Sequence, residues 1–438
     1  MKKQIFNLAI LLAAIPATLW SQGLKPDTIT MGPSYAFQVY YDMAKGTKFQ
    51  ASISEWDIAH TTVGRDNCIR ANHMTGIRVL PYPKGDSSAW SSVDTTGWMN
   101  WRMVYNNMHV HESGAFNQQL NKGNQWDFNW GVYDPGTHIV KGDSFFIVGV
   151  QTAPGGPYSK LMKFMPLYQL ANGDLVFQYA NLDGSNYVKD TLFASTAVNR
   201  QYKYYRFSND TKPVHEPADS TWDISFNRYY TPQYNPATQK FEPYPTMGVE
   251  SKRGTMVARI YGPAWASVLA DTGGLVRAYW KTFNNDLTGI GSDWKIFNGT
   301  AFILQDTMNY IVKRVRPGDT TYWLLHFTGF GGSSTGKVMF NTMQLRNTVS
   351  VIHPVLGQIK VFPNPAANQL YITIENAAGG NTRLQLMSTD GKVVAENTIP
   401  AGKGLVSARM DVSALPAGTY ILNMSNGRQE SSSRIVIE

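Results

Sequence analysis

An internal duplication is the feature that most restricts what this chain can fold into. Two Tyr-Tyr motifs are each followed by a Trp-Asp motif, at spacings that agree within two residues: Tyr40-Tyr41 with Trp56-Asp57, and Tyr204-Tyr205 with Trp222-Asp223. Further along, three features recur 164 positions later: Trp130, Ile147-Val148 and Tyr158 return as Trp294, Ile311-Val312 and Tyr322. One shared offset at separated points predicts two related units in tandem, which we place at residues 22–199 and 200–348.

Both repeats have the pattern of β structure. Short runs rich in β-branched and aromatic residues occur at 145–150, 175–179 and 256–261. Turn-forming sequences such as Asp134-Pro135-Gly136 occur before and between such runs. Apolar stripes with a helical period do not extend beyond about three turns. The sequence therefore predicts an all-β chain whose two repeats are tandem antiparallel β-sandwich or flattened-barrel domains.

The C-terminal segment has its own pattern. From residue 358 to residue 438, short stretches alternate between polar and apolar residues and are separated by turns such as Pro416-Ala417-Gly418. About seven short strands in ~80 residues are typical of a small immunoglobulin-like β-sandwich. We predict such a domain over 358–438, after a linker at 349–357.

The N-terminus has the parts of a secretory signal. Lys2 and Lys3 precede an apolar run that ends near Trp20, and the small residue Ser21 follows. That run of about 15 apolar residues is shorter than the ~20 that span a bilayer. We predict a signal peptide over 1–21, and hence a protein that is secreted or attached to the outer cell surface.

Composition narrows the possible chemistry. Cys68 is the only cysteine, which excludes a disulfide framework and a cysteine metal cluster. The formal net charge is +8, but the Lys and Arg residues are scattered and form no recognition motif. We therefore expect no nucleic-acid partner, and the charge weakly favours anionic partners such as carboxylates or anionic glycans.

Three C-terminal motifs resemble the sorting domain of type IX secretion substrates. These motifs are Val361-Phe362-Pro363-Asn364-Pro365, Ser388-Thr389-Asp390-Gly391-Lys392 and Leu415-Pro416-Ala417-Gly418-Thr419-Tyr420. The resemblance covers 358–438 and implies that the type IX secretion machinery is a partner of this domain. It also implies passage across the outer membrane, removal of the domain, and either release or attachment to surface lipopolysaccharide.

The two repeats resemble the HmuY family of secreted haem-binding β proteins. The resemblance rests on the Trp-Asp motifs at 56–59 and 222–226, on the Tyr-Tyr strand before each, and on closing strands such as 145–150 with 175–179. It implies haem or haem-carrying proteins as partners, with axial His or Met ligands between the Trp-Asp strand and the closing strands. We expect the Trp and Asp residues themselves to fix strand packing and turns.

In the first repeat, that stretch contains the candidate haem-binding side chains Met99, Met108, His109, His111 and His138. Among them, His109 and His138 are the candidate metal ligands. His138 is only the nearest substitute for a second ligand expected shortly after Trp130. On a strand, His109 and His111 would point to the same face. The second repeat has no histidine between Trp222 and Trp294, so we expect it to be structural or to bind a different ligand.

The sequence is compatible with two functions. The leading one is a secreted or surface-exposed haem-binding, haem-scavenging protein without catalytic activity. The alternative is a surface binding or adhesion protein of the same fold that does not bind haem, which the missing second ligand favours. A secreted hydrolase has no support, because the sequence has no HExxH motif, nucleophile elbow or Walker loop.

Overall fold

The computed structural model describes residues 23–62, 67–117, 123–152, 155–316, 319–345, 359–376, 381–400, 404–426 and 430–438. The chain divides into two compact units, Met1–Arg346 and Asn347–Glu438, which we call the body and the tail. The predicted signal peptide (1–21) and linker (349–357) lie outside the described residues. The boundary between the repeats at residue 199 stays a prediction.

The body consists mainly of antiparallel strands, as predicted. In chain order they are β1 Lys25–Thr30, β2 Phe37–Tyr41, β3 Lys48–Ser52, β4 Ile58–Thr61, β5 Ile69–Ala71, β6 Ile77–Pro81, β7 Gly131–Asp134, β8 Ile139–Gly142, β9 Phe146–Gln151, β10 Tyr158–Gln169, β11 Leu175–Asn181, β12 Val188–Leu192, β13 Tyr202–Tyr205, β14 Ile224–Asn235, β15 Lys240–Ser251, β16 Met256–Tyr261, β17 Lys295–Phe297, β18 Phe302–Leu304, β19 Met308–Arg316, β20 Asp319–Phe330 and β21 Lys337–Leu345.

Helical segments in the body are short. The α-helices are α1 Trp265–Ala270, α2 Leu275–Ala278 and α3 Gly332–Thr335. Single 3-10 turns occur at Pro33–Tyr35, Ile53–Glu55, His73–Thr75, Ser87–Ser91, Trp98–Asn100, Ala115–Asn117, Ala194–Ala197, Asp219–Thr221 and Trp280–Thr282. Among the helices of the described ranges, none combines the length and apolar character needed to cross a membrane.

The duplication is visible as two sheets with matching strand order. One sheet runs β1-β21-β20-β19-β16. The other contains the path β12-β11-β10-β9-β6, with β8 and β7 as additional strands beside β10. The recurring Ile-Val pairs, Ile147-Val148 and Ile311-Val312, lie in β9 and β19, and the recurring tyrosines, Tyr158 and Tyr322, lie in β10 and β20. The residues shared by the repeats therefore occupy equivalent places in the two sheets.

The repeats exchange their first strands. The Tyr-Tyr strand β2 pairs with the Trp-Asp strand β14 of the second repeat, with Tyr41 opposite Ile224. In the equivalent pairing, β13 pairs with β4, with Tyr205 opposite Ile58. At the sheet edges, β1 of the first repeat pairs with β21 of the second, whereas β12 and its partner β11 both lie within 22–199. Because strands of one repeat pair with strands of the other, the two repeats form one compact unit.

The aspartates of the Trp-Asp motifs stabilise this exchange through hydrogen bonds. The Asp57 carboxylate accepts the backbone N–H of Phe207 at 2.7 Å, just beyond β13. The Asp223 carboxylate accepts the N–H of Met43 at 2.9 Å, just beyond β2. Asp223 also forms an ion pair at 2.9 Å with Arg316. These contacts agree with the expectation that the aspartates fix packing and turns.

Each sheet has its own apolar core, and both cores include residues of an exchanged strand. Val39 and Tyr41 of β2 are buried among second-repeat side chains such as Phe226 and Phe340. Tyr205 of β13 is buried among first-repeat side chains such as Phe177. Burial of a large aromatic side chain stabilises a fold by roughly 1.5–3 kcal/mol, so each core favours the exchanged arrangement.

The tail forms seven antiparallel strands in its described residues, in agreement with the sequence. They are β22 Ile359–Phe362, β23 Gln369–Asn376, β24 Thr382–Ser388, β25 Val393–Ile399, β26 Gly404–Asp411, β27 Gly418–Ser425 and β28 Glu430–Ile437. Two sheets result, ordered β22-β23-β26 and β25-β24-β27-β28. Alternate residues such as Leu370, Ile372 and Leu422 fill a core of the tail's own, as the period-two pattern requires.

Candidate functional site

A cavity lies where the exchanged strands of the body meet, and we call it the inter-repeat cavity. Its walls include Tyr40 of β2, Ala59 of β4, Tyr204 of β13 and Ser225 of β14. Half-buried side chains, including Met108, lie nearest to solvent among its lining residues. Since all four exchanged strands contribute, the cavity is a product of the duplication.

The cavity has a volume of about 100 Å³. A buried water needs ~10–15 Å³ of such space, so there is room for several waters or for one small ligand. The lining combines aromatic rings with charged and amide side chains. Its charged residues are Arg70, Glu216, Arg228 and Glu250.

Two aromatic pairs related by the duplication form part of the wall. Tyr40 packs edge-on against Trp222 with ring centroids 4.8 Å apart. Tyr204 packs in the same way against Trp56 at 5.3 Å. In each pair, a tyrosine of a Tyr-Tyr strand contacts the tryptophan of the Trp-Asp motif of the other repeat. The tryptophans were predicted to fix strand packing, and they do so while also lining the cavity.

Several buried polar groups of the lining have no hydrogen-bond partner among the described residues. They are both ring nitrogens of His111, Nε1 of Trp222, Oγ of Ser251, the hydroxyl oxygen of Tyr229 and Nη1 of Arg70. The exposed fractions of His111, Trp222 and Ser251 are 4%, 5% and 1%. A buried polar group without a partner costs about 1–3 kcal/mol. Such groups around one cavity are a feature expected of a binding site whose ligand supplies the missing bonds.

Burial also shifts the proton equilibria in the cavity. Desolvation raises the pKa of Glu216 to about 8, although the backbone N–H groups of Tyr202 and Gln201 and the Tyr204 hydroxyl donate to its carboxylate. Desolvation likewise raises the pKa of Glu250. It lowers the pKa of His111 to about 3, with nearby Arg70 acting in the same direction. At neutral pH the imidazole is therefore neutral and Glu216 is mostly protonated.

The structure brings together only some of the residues predicted from sequence. Met108 and His111 line the inter-repeat cavity. His138 lies at a separate pocket, where its Nδ1 is 2.7 Å from the Tyr133 hydroxyl. Met99 is 78% exposed.

His109 and His111 do not lie on a strand. They belong to an irregular segment between Val104 and Ala115, in which His109 is exposed and His111 is buried. His109 Nδ1 lies 2.8 Å from Oδ2 of Asp286. The same-face placement expected of a strand is therefore wrong, because the alternation of faces requires extended pairing that this segment lacks.

A metal centre is not formed by these residues in the structure. Within the described ranges, no group of three or more His, Cys, Asp or Glu side chains is arranged to hold a metal ion. The two candidate metal ligands, His109 and His138, hydrogen-bond to Asp286 and Tyr133 respectively. Axial ligation of a haem iron takes one or two side chains that face the same apolar slot, and His109 and His138 do not line one cavity.

The sequence did not point to Glu216, Ser251 or the indole of Trp222 as site residues. All three lie in the second repeat, outside the stretch of the first repeat that its histidines and methionines mark, and they share a wall with Tyr40 and Ala59 only through the strand exchange. One signal was present nevertheless. The repeated Tyr-Tyr and Trp-Asp motifs contain both aromatic pairs of the wall, Tyr40 with Trp222 and Tyr204 with Trp56. The duplication itself therefore indicated Trp222.

Comparison with known proteins identifies the tail. Residues 360–438 match the family model of the secretion system C-terminal sorting domain. The protein is therefore exported by type IX secretion to the cell surface or the extracellular medium, and its tail interacts with that machinery. This agrees with the predicted localisation.

For the body, the comparisons identify no family. No curated protein matches the sequence. A solved structure, "Escherichia coli alpha-2-macroglobulin activated by porcine elastase", is similar at 8% identity with a TM-score of 0.12. The similarity covers 95% of this chain and 43% of that one, and the score is too low to carry an argument about fold. These comparisons give no support to the HmuY resemblance of the repeats.

Proposed function

We propose that this protein is an exported, non-catalytic binding protein whose duplicated body holds a small polar ligand in the inter-repeat cavity. The observation that carries the proposal is the set of unpartnered, buried polar groups around one cavity, with His111 as its clearest member. A ligand with complementary groups satisfies them and recovers the free energy that their burial costs.

Binding is favoured over catalysis by the state of His111. A general base in nucleophilic catalysis is hydrogen-bonded to its nucleophile and oriented by a third group. Neither ring nitrogen of His111 has such a partner among the described residues. Its lowered pKa, about 3, also makes it a poor proton acceptor at neutral pH.

Replacement of His111 by leucine tests the proposal. Leucine has a similar volume and removes both unpartnered nitrogens, so His111→Leu is expected to keep or raise the free energy of unfolding while it abolishes ligand binding. Thermal shift with a panel of small polar metabolites identifies ligands of the wild-type protein. His109→Leu is the matched control, because His109 is exposed and is not part of the cavity wall.

Two results would contradict the proposal. One is a panel in which no compound raises the melting temperature of the wild-type protein. The other is a ligand-induced rise that His111→Leu preserves in full, since the ligand would then bind elsewhere.

Haem binding is a second candidate function, supported by the presence of Met108 and His111 in the same cavity. It requires the cavity to open, since ligand pockets for larger molecules are ~300–1,000 Å³. Addition of hemin to the mature protein should then give a shifted Soret band that His111→Leu weakens. An unchanged hemin spectrum at micromolar concentration removes this candidate.

For the tail, we propose that its removal after export leaves the body either released or attached to surface lipopolysaccharide. The support is the match of residues 360–438 to a sorting domain. The mass of the body recovered from the medium and from washed cells tests this. Recovery of the intact chain, tail included, from both fractions would contradict it.

A further inference from the structure

We propose that the ligand of the inter-repeat cavity is a neutral, hydroxyl-rich small molecule, of which a monosaccharide is the representative. This inference rests on the proposed function, because it assigns a ligand class to the same cavity. It is carried by the hydrogen-bonding type of the unpartnered groups, by the charges of the wall and by its aromatic surfaces.

The unpartnered groups call for both donors and acceptors. The Trp222 indole N–H can only donate, whereas a neutral His111 has one donating and one accepting nitrogen, and the Ser251 hydroxyl does both. A carboxylate group only accepts and would leave the imidazole acceptor unsatisfied. An ammonium ligand only donates and would leave the indole unsatisfied. Hydroxyl groups donate and accept, so a polyol satisfies the whole set.

The charges of the wall favour a neutral ligand. Two guanidinium groups, Arg70 and Arg228, and two carboxyl groups, Glu216 and Glu250, line the cavity. A cation would meet both guanidinium groups, and an anion would meet the Glu250 carboxyl group while Glu216 is mostly protonated, in each case at the cost of losing its own hydration. A neutral molecule has no such penalty. It can also hydrogen-bond to either kind of charged side chain, and such bonds are stronger than those between neutral groups.

The aromatic pairs supply flat apolar surface beside these polar groups. Trp222 with Tyr40, and Trp56 with Tyr204, line the cavity. A sugar ring has C–H groups on its faces and hydroxyl groups around its edge, so it can pack against an aromatic ring while its edge forms hydrogen bonds. The volume of about 100 Å³ fits one small molecule and not an oligosaccharide.

Saturation-transfer NMR on the mature protein, tail included, tests the ligand class. The neutral probes are D-glucose, D-galactose, D-mannose, L-fucose, D-xylose and N-acetyl-D-glucosamine. The charged matches are D-glucuronate and D-glucosamine. We expect signal transfer to at least one neutral probe and weaker transfer to the charged ones.

Two conservative variants locate the binding. Trp222→Phe keeps an aromatic ring and removes the indole N–H, and Ser251→Ala removes one hydroxyl. Each is expected to raise the dissociation constant about tenfold, the effect of one lost hydrogen bond. Met99→Ala is the control, since Met99 is exposed and outside the wall. Circular dichroism establishes folding, and if Trp222→Phe does not fold, Ser251→Ala alone decides.

The outcomes separate this inference from the proposed function. Transfer only to D-glucuronate or D-glucosamine, weakened by Ser251→Ala, overturns the ligand class and leaves cavity binding intact. Transfer to neutral sugars that neither variant weakens overturns the assignment to the cavity. No transfer to any of the eight probes overturns the ligand class, and the metabolite panel then decides whether the cavity binds anything.

Discussion

Replacement of Glu216 by glutamine is expected to remove a large part of the body's sensitivity to alkaline pH. Burial raises the pKa of Glu216 to about 8 from an ordinary value of 4.5. A raised folded-state pKa contributes stability that is fully present below pH 4.5 and is lost as the pH rises through 8. The shift of about 3.5 pH units corresponds to roughly 5 kcal/mol, at 1.36 kcal/mol per unit.

Glutamine reproduces the protonated acid closely. Its amide oxygen can accept from the backbone N–H groups of Gln201 and Tyr202, and its amide nitrogen can donate to the Tyr204 hydroxyl oxygen. Glu216→Gln should therefore fold normally and should lose the slope of ~1.36 kcal/mol per pH unit that Glu216 contributes between pH 4.5 and 8.

Urea unfolding at pH 5, 7 and 9, followed by tryptophan fluorescence, measures this slope. Glu112→Gln is a suitable control because its carboxylate is exposed and outside the cavity wall. The difference in unfolding free energy between wild type and Glu216→Gln should change by several kcal/mol from pH 5 to pH 9. A constant difference across this range would refute the reasoning, since it would mean that Glu216 is not protonated in the folded protein.

Three further predictions concern pH, the strand exchange and export. Lowering the pH from 6.5 towards 3 should unfold the body, because burial holds the pKa values of His73, His111 and His215 at about 3. At pH 5 each of these histidines costs up to about 2 kcal/mol, and the three together outweigh the roughly 2 kcal/mol that protonation of Glu216 adds; circular dichroism unchanged at pH 4 would contradict this. Asp223→Ala should reduce the unfolding free energy by roughly 3–5 kcal/mol, because it breaks two buried ion pairs, one with Arg314 and one with Arg316, whereas Asp57→Ala should cost about 1–3 kcal/mol; equal losses in urea titrations would argue against these roles. Deletion of residues 360–438 should retain the protein inside the outer membrane, and immunoblots that show undiminished protein in the medium or on the cell surface would contradict the role of the tail.

Local pattern was sufficient to predict the strands of this chain. The run at 256–261 became β16 without change, and the run at 175–179 lies inside β11. In the tail, the period-two alternation predicted seven strands because one face of each is buried in its core. Strand identity depends on neighbouring residues, which a single sequence displays directly.

The pairing between strands could not be predicted in the same way. Nothing in the pattern of Tyr40-Tyr41 indicates that this strand pairs with residues about 180 positions later, because many pairings bury the same apolar face equally well. The exchange decides which side chains form the cavity wall. Glu216 and Ser251 were consequently missed.

The histidines show how a missing tertiary structure misleads a residue-type argument. His109, His111 and His138 were grouped because they lie close together in the sequence and could all bind iron. In the structure, His109 hydrogen-bonds to Asp286, His138 to Tyr133, and only His111 lines the inter-repeat cavity. Residue type identified a possible ligand, whereas burial and partners decide which of the three is positioned to bind one.

A crystal structure of the mature protein, soaked with the compound that gives the largest thermal shift, shows whether the inter-repeat cavity binds a ligand through its unpartnered polar groups. We expect ligand density in the cavity, within hydrogen-bond distance of His111 and of Nε1 of Trp222. Ligand density at another site, with only ordered water in this cavity, would contradict it.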